Sequence, residues 1–441
     1  MFALSIRQRR RVLFSALVSD AVFPLAITGA TGAVPHLTAQ LPGADALGPW
    51  IVLAYNGLFA AALLLAGATA DRLARTRFFA AGNIVVAATG LLSALAPNLV
   101  SLVALRAVAG VGAAMCAAGG ASVILAVYPP EERRRVYGYS GAVLGSSLAL
   151  GPVIAQALMA IGGWPLVFLA PGAVAALAAL ATLGLPGLRS SELCGNFDLA
   201  GALLFGMIVA AVVIALGLGF GGGVPWWWPA GLILLAALSI ACLVHVERRA
   251  SHPAIPLDLL RIPAYRAYAL ATGAFMGTLV VGLVVLPELG SADRIGPGET
   301  AVMLSLLTVP SSVLPLFAAL LARRLARQLV AIGLFICAAI AVLLQVSRQP
   351  GVLLVAAGIV GLCLGLTEGV PDGQALKHVP SHRGGAGAAL FSTTRMSLET
   401  FTLAAATGLI TDLGPASGMA VAGALCLAAA LIVQRDVPSN A

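Results

Sequence analysis

The chain has 441 residues, 60% of them hydrophobic and 10% charged, with a formal net charge of +8 and a mean hydropathy of +1.02. A soluble domain carries roughly 25% charged residues, so this chain cannot cover itself with polar surface and its solvent is lipid. The positive balance does not point to nucleic acid, because the arginines fall in short loops and form no continuous basic face.

In chain order, Arg7-Gln-Arg9-Arg10-Arg11 precedes an apolar run that continues past Asp20 to about Pro35. That run is too long for the apolar region of a signal peptide, and an uncleaved first span is expected. A span needs about 20 mostly apolar residues. Fourteen stretches qualify: 12–35, 50–70, 78–97, 99–127, 137–161, 165–186, 198–220, 226–245, 266–288, 300–322, 329–346, 351–371, 385–409 and 415–434. Of the 25 basic residues, all but four lie on one side of this stack. Arg294 and Arg348 lie on the other side, and Arg106 and Arg395 lie inside spans. Positive-inside bias then puts both termini in the cytoplasm, across a cytoplasmic (inner) membrane. Trp226-Trp227-Trp228 stands at an outer boundary, as an interfacial anchor does.

The connection Gly67-Ala-Thr-Ala-Asp71-Arg72-Leu-Ala-Arg75-Thr-Arg77 packs an acid and three arginines between two spans. Its basic residues align without a gap on Ala319-Leu-Leu-Ala-Arg323-Arg324-Leu-Ala-Arg327, which follows the tenth span. Two six-span halves are therefore expected, 12–186 and 266–434, with an extra pair between them. As domains these are residues 1–189, 190–250 and 251–441. Repeated halves around a midplane cavity are the architecture of secondary transporters. A charge cluster such as Gly67, Asp71, Arg72 and Arg75 either switches between two conformations or simply anchors topology.

Several ionisable residues stay inside the spans, where each costs about 2.5–3.5 kcal/mol even on a lenient insertion scale. Arg106 lies about 10 Å from the outer surface and Asp20 about 12 Å from the inner one, at about 1.5 Å per residue. They read either as a proton-responsive pair facing a cavity or as a static ion pair. Arg395 and Glu399 are four residues apart and share a helix face, as an intrahelical pair or a second titratable site. Glu368 and Glu288 are secondary candidates near span ends, within reach of interfacial water. Gly145, Gly151 and Pro152 read as close packing with a weakened backbone ladder.

The six cysteines are far apart, form no C-x-x-C, and read as small apolar packing residues. His378 and His382 have helical spacing, but Pro380 separates them, so neither a metal site nor a cofactor is expected. There is no histidine box, nucleophile motif or phosphate-binding Gly-Lys-Ser/Thr sequence, so the chain does not read as an enzyme.

Taken together, these motifs resemble the major facilitator superfamily, and within it the fourteen-span drug:proton antiporters. Residues 67–77 resemble the G-x-x-x-D-R-x-G-R-[RK] loop, with Ala74 and Thr76 as departures. Leu102-x-x-x-Arg106-x-x-x-Gly110-x-Gly112 resembles the fourth-span motif, with Ala109 at a usual Gln. Pro130-Glu131-Glu132-Arg133 and Gly151-Pro152 resemble the fifth-span antiporter motif, with Ala155 and Gln156 at a usual glycine pair. Phe197-Asp198-x-x-Gly201 and His252-Pro253-x-x-Pro256-Leu257 resemble the edges of the inserted pair. Ala26 stands where the family's first span usually carries an Asp, and Glu399 where the thirteenth usually carries a Gly.

The resemblance implies an all-α integral membrane protein: two six-helix bundles with pseudo-twofold symmetry plus two inserted helices, fourteen transmembrane helices in all. It also implies proton-driven export of a lipophilic or amphipathic small molecule, by a monomer without cofactor or nucleic acid. Proton coupling would fall to Asp20, Arg106, Arg395 and Glu399. An uncoupled facilitator or a non-transporting sensor on the same fold is the alternative.

Overall fold

A computed structural model describes residues 4–43, 47–188, 198–219, 224–249, 257–292, 296–347, 349–367, 369–379 and 384–437. Among these the regular structure is helical throughout, with no strand. The chain divides into two compact units, Met1–Gly206 and Met207–Ala441.

The first unit contains α1 (Ile6–Asp20), α2 (Val22–Gln40), α3 (Trp50–Arg72), α4 (Arg75–Ala94), α5 (Leu99–Val127), α6 (Pro130–Gly162) and α7 (Trp164–Ala181). Local chemistry sets their ends. Ser5 and Gln8 form a reciprocal capping box on α1, and the Asn98 side chain accepts from the Ser101 amide at 2.8 Å to start α5. Pro130 opens α6, where a missing N–H costs nothing, and Gly163 adopts φ +72° to turn the chain directly into α7. At the C-terminus of α5, Arg133 donates to the carbonyls of Tyr128 and Leu125, both at 2.8 Å, satisfying acceptors that a helix end leaves open. Burial pushes the Tyr128 phenol up, an effect that nearby Arg9 partly offsets.

The second unit contains α9 (Trp227–Arg249), a short 3-10 helix (Leu257–Arg261), α10 (Pro263–Ala292), α11 (Pro297–Val313), α12 (Pro315–Val346), α13 (Pro350–Thr367), α14 (Val370–Lys377), α15 (Gly384–Leu413) and α16 (Pro415–Asp436). The unit boundary falls within α8 (Leu199–Leu218). Helix α9 turns Leu234, Leu238 and Ile240 outward, and Trp227 stacks on Trp228 at its start with centroids 5.3 Å apart. Apolar side chains exposed in this way suit a lipid solvent.

The two units repeat one neighbour pattern. In the first, α3 packs on α5, α4 on α5 and α7, and α2 on α6 and α7. In the second, α11 packs on α13, α12 on α13 and α16, and α10 on α15 and α16. The aligned arginines do the same work in each. The Arg75 amide donates to Leu188 O at 2.8 Å, just after α7, and Arg327 Nη2 donates to Gln434 O at 2.6 Å near the end of α16.

Twelve helices among the described residues are long and apolar enough to cross a membrane. The other two expected spans fall on α11 and α15. Three spans differ from the expected single rods. The first is broken at Ala21, immediately after Asp20. The tenth ends at Val313, and its following turn is absorbed into α12 as a kink at Leu325 (φ −129°, ψ 21°). The twelfth is interrupted before Gly369 (φ +76°), so that α14 departs from α13. In each case the break frees backbone groups inside the span, which is tolerable only where protein or water receives them.

Candidate functional site

Arg106 sits in the interior of the first unit with 3% of its surface exposed. Small residues put it there. A Cβ on Gly110, one turn further along α5, would collide with the Tyr55 carbonyl, so α5 lies directly against α3. The guanidinium then lies over the Tyr55 ring, 4.1 Å from its centroid, with Phe168 at 5.7 Å. Its Nε donates to Ile51 O at 3.0 Å and its Nη2 to Ala26 O at 3.1 Å. Ala26 is the position where the family usually carries the first-span acid. Here its backbone carbonyl takes the place a carboxylate would fill. A cavity of about 10 Å³, room for one water, opens beside Arg106 between Ala26, Tyr55, Phe168 and Gly172.

Asp20 is not brought to Arg106. It ends α1, where its Oδ2 is buried without a hydrogen-bond partner. Ser140 of α6 faces it, and that hydroxyl is likewise buried and unpartnered. Cys116 of α5 and Tyr137 of α6 complete the surroundings. Next to Asp20, Ser19 donates to Asn83 Oδ1 at 2.9 Å. The expected Asp20–Arg106 pair is therefore replaced by two separate polar sites. Arg106 meets the first span at Ala26, six residues past Asp20 and so about 9 Å further along the axis.

The α3–α4 connection carries Gly67, Asp71, Arg72 and Arg75. Open space surrounds Gly67, so packing does not require a glycine there. Arg72 is exposed and Arg75 half-buried, while the Asp71 side chain lies outside the described part. Thr76 fastens the start of α4 to Pro186 O at 2.9 Å. In α6, Gly151 is a contact point: its Cβ would run into Thr28 of α2. Gly145 is half-buried on the same helix, and α6 passes Pro152 without ending.

In the second unit, Arg395 and Glu399 lie on α15, with Glu399 6% exposed. Arg395 does not close onto Glu399. Its Nη1 points to Asp372 Oδ2 of α14 at 4.0 Å, and its Nε is buried without a partner. Asp372 Oδ1 accepts from Thr272 Oγ1 of α10 at 3.1 Å. A cavity beside this group is lined by Thr272, Phe275, Met276, Thr367, Asp372 and Arg395. Glu288 is half-buried near the end of α10, and Glu368 lies outside the described residues.

The family model described as Major Facilitator Superfamily matches residues 16–192. Over that stretch the sequence is similar to the major facilitator superfamily. Among relatives, it is 27% identical over 361 residues to the multidrug resistance protein Stp of Mycobacterium tuberculosis (strain CDC 1551 / Oshkosh), covering 80% of this chain and 66% of Stp. It is also 27% identical over 411 residues to the uncharacterized transporter YebQ of Escherichia coli (strain K12), covering 89% of this chain and 87% of YebQ. Among solved structures, the xylose transporter XylE from E. coli, partially occluded and inward open, superposes with a TM-score of 0.64. That match has 14% identity and covers 98% of this chain and 99% of the other, so the likeness is one of fold.

Three features of this chain are not visible as motifs. Tyr55 carries no motif signal, yet its ring and carbonyl seat Arg106 and Gly110. Asp372 is signalled only by Pro371-Asp372-Gly373 near the end of a span, an acid among helix breakers. Cys337, Cys363 and Cys426, scattered in sequence, meet where α12, α13 and α16 pack, with Thr278 Oγ1 3.1 Å from Cys426 Sγ.

The Gly110 contact yields a direct test. Gly110→Ala is expected to destabilise the protein by about 1–3 kcal/mol, because the backbone it meets cannot rotate away. Gly67→Ala, with nothing near its Cβ, is expected to unfold at the wild-type temperature or above. Thermal unfolding of the two solubilised variants measures this. Identical melting of both would mean that α5 does not lie this close to α3.

Proposed function

We propose that the chain is a secondary active transporter of the cytoplasmic membrane. It exports lipophilic or amphipathic small molecules, drugs or metabolites, by proton antiport and alternating access, working as a monomer with both termini cytoplasmic. The observation that carries this reading is the set of ionisable side chains kept inside apolar helices: Asp20 with a buried, unpartnered oxygen, Arg106 in its carbonyl seat, and Arg395 beside Glu399. Such groups are expensive in a membrane and mark ion or proton pathways. The printed name of Stp, a multidrug resistance protein, supports the substrate class.

In this reading Asp20 and Glu399 carry protons. Arg395 biases release from Glu399 through charge, and Arg106 belongs to the coupling set without facing Asp20. Gly67, Asp71, Arg72 and Arg75 form the switch between conformations, while Gly145, Gly151 and Pro152 let α6 pack closely and flex. Glu288 and Glu368 are secondary. Proteoliposomes with an imposed pH gradient test the coupling: accumulation of a lipophilic dye is expected only with the gradient. Equal movement with and without it would exclude antiport.

A second reading is favoured by one observation, the Ala26 carbonyl at Arg106 in place of the family's acid. It makes the chain an uncoupled facilitator or a non-transporting sensor. Full activity after neutralising both Asp20 and Glu399 would favour it.

A further inference from the structure

We propose that Asp372 is a positioning residue: it competes with Glu399 for the Arg395 guanidinium, and the place of that one positive charge decides whether Glu399 holds a proton. The inference deepens the antiport reading and rests on it.

Three helices build the arrangement. From α14, Asp372 presents one oxygen to Arg395 Nη1 at 4.0 Å and the other to the Thr272 hydroxyl of α10 at 3.1 Å. From α15 come Arg395 and, one turn on, Glu399. The 4.0 Å separation is too long for a closed, bidentate fork. The buried Arg395 Nε has no partner, so this guanidinium is incompletely held where it stands. Glu399 lies within reach of the same side chain at helical i, i+4 spacing, so the exchange needs rotamer changes and no backbone movement. A cavity with room for about one water adjoins the group.

Exposure separates the two acids. The Arg395 and Asp372 side chains are 33% and 37% exposed, whereas Glu399 is 6% exposed. With Arg395 drawn to Asp372, the buried Glu399 carboxyl loses its nearby counter-charge, which favours the neutral form; with Arg395 beside it, the carboxylate is favoured. Few other charges intervene. Among the described residues α15 packs on α10, α14 and α16, and its Gly408 lies against Leu216 of α8, a helix without ionisable side chains. On α10, Gly273 and Gly277 lie against Leu398 and Thr402. Glu288 is eleven residues past Gly277, about 16 Å along the axis, and Arg266 is engaged by Asp436 of α16 at 2.6 Å. On α16, Cys426 faces Thr278, and Arg435 pairs with Asp436. On α14, Lys377 bonds Gln374 at 3.0 Å. Glu368 lies outside the described residues and is controlled for below.

Dicyclohexylcarbodiimide, which modifies protonated buried carboxyls, reads Glu399 directly in the solubilised full-length protein, with peptide mass spectrometry against pH. Asp372→Asn is expected to move the labelling midpoint at least one pH unit toward acid, a roughly tenfold loss of proton affinity, and Asp372→Glu to restore it. In an Arg395→Gln background the same substitution is expected to shift the midpoint by less than a third as much. If Asp372→Asn does not survive solubilisation, Thr272→Val serves. It removes the hydroxyl that competes for Asp372, so Arg395 is held more firmly and the midpoint is expected to move toward alkali. An unmoved midpoint in the folded variant overturns the proposal. So does an undiminished shift without Arg395, a shift lost in a Glu368→Gln background, or no Glu399 labelling at any pH. The readout needs no substrate, so failure of antiport in proteoliposomes is scored separately.

Discussion

Replacing Arg106 by alanine is expected to reduce transport to background while the protein still inserts and folds. An arginine in a membrane helix costs about 2.5–3.5 kcal/mol even on a lenient scale. Its two hydrogen bonds, to Ile51 O and Ala26 O, return a charge-assisted contribution of about 1.5–3 kcal/mol each. Together the two bonds, about 3–6 kcal/mol, match or exceed that cost, so the alanine variant is expected to be somewhat less stable, while the two carbonyls remain within their helices when the side chain is gone. Loss of transport in a variant that still folds then separates function from stability. Arg106→Lys retains the charge but not the planar fork that reaches two carbonyls while lying over Tyr55, so it is expected to fall below about a tenth of wild-type activity. The check is dye transport in proteoliposomes alongside thermal unfolding. An alanine variant that transports normally would reduce Arg106 to a packing residue.

The second large effect concerns energy coupling. One proton crossing 100 mV supplies about 2.3 kcal/mol, and each decade of concentration corresponds to about 1.4 kcal/mol. A single carboxylate can therefore sustain a gradient of roughly fiftyfold for a neutral substrate. Asp20→Asn combined with Glu399→Gln is expected to collapse that ratio to one while leaving substrate counterflow intact. Amides keep the shape and the hydrogen-bonding capacity of the acids but cannot carry a proton. The environments of the two acids agree with this design. Neither is held by a closed ion pair among the described residues: Asp20 has the Ser140 hydroxyl, Cys116 and Tyr137 around it, and Arg395 leans away from Glu399 toward Asp372. Accumulation persisting in the double variant would place the coupling groups elsewhere.

Arg106 was legible as a buried charge because hydropathy makes any ion inside a span conspicuous. Its partners were not legible. The chain supplies two nearby acids by depth, and depth cannot say which way a helix faces. The break at Ala21 does carry a sequence signal, Pro24, whose missing N–H leaves the Asp20 carbonyl without its i→i−4 bond. Arg395 and Glu399 were legible as one face of α15. The pull of Asp372 was not, because it depends on α14 departing from the line of α13 at Gly369. The cysteines illustrate the same limit. They are far apart along the chain, and three of them converge only because α12, α13 and α16 pack on common small-residue faces, where Gly423 meets Ala338 and Ala341.

What the sequence determined by itself was the solvent, the number of apolar segments, the repeat and the family-like motifs. These follow from local composition and periodicity, which act along the chain and need no knowledge of neighbours. The tertiary structure alone decided which carbonyls hold Arg106, that Asp20 stands apart from it, and that Arg395 is shared between two acids. Those outcomes depend on how closely helices approach and where they break. In a membrane such terms are set by glycine contacts, such as Gly110 on Tyr55 and Gly151 on Thr28, that act between residues distant in the chain.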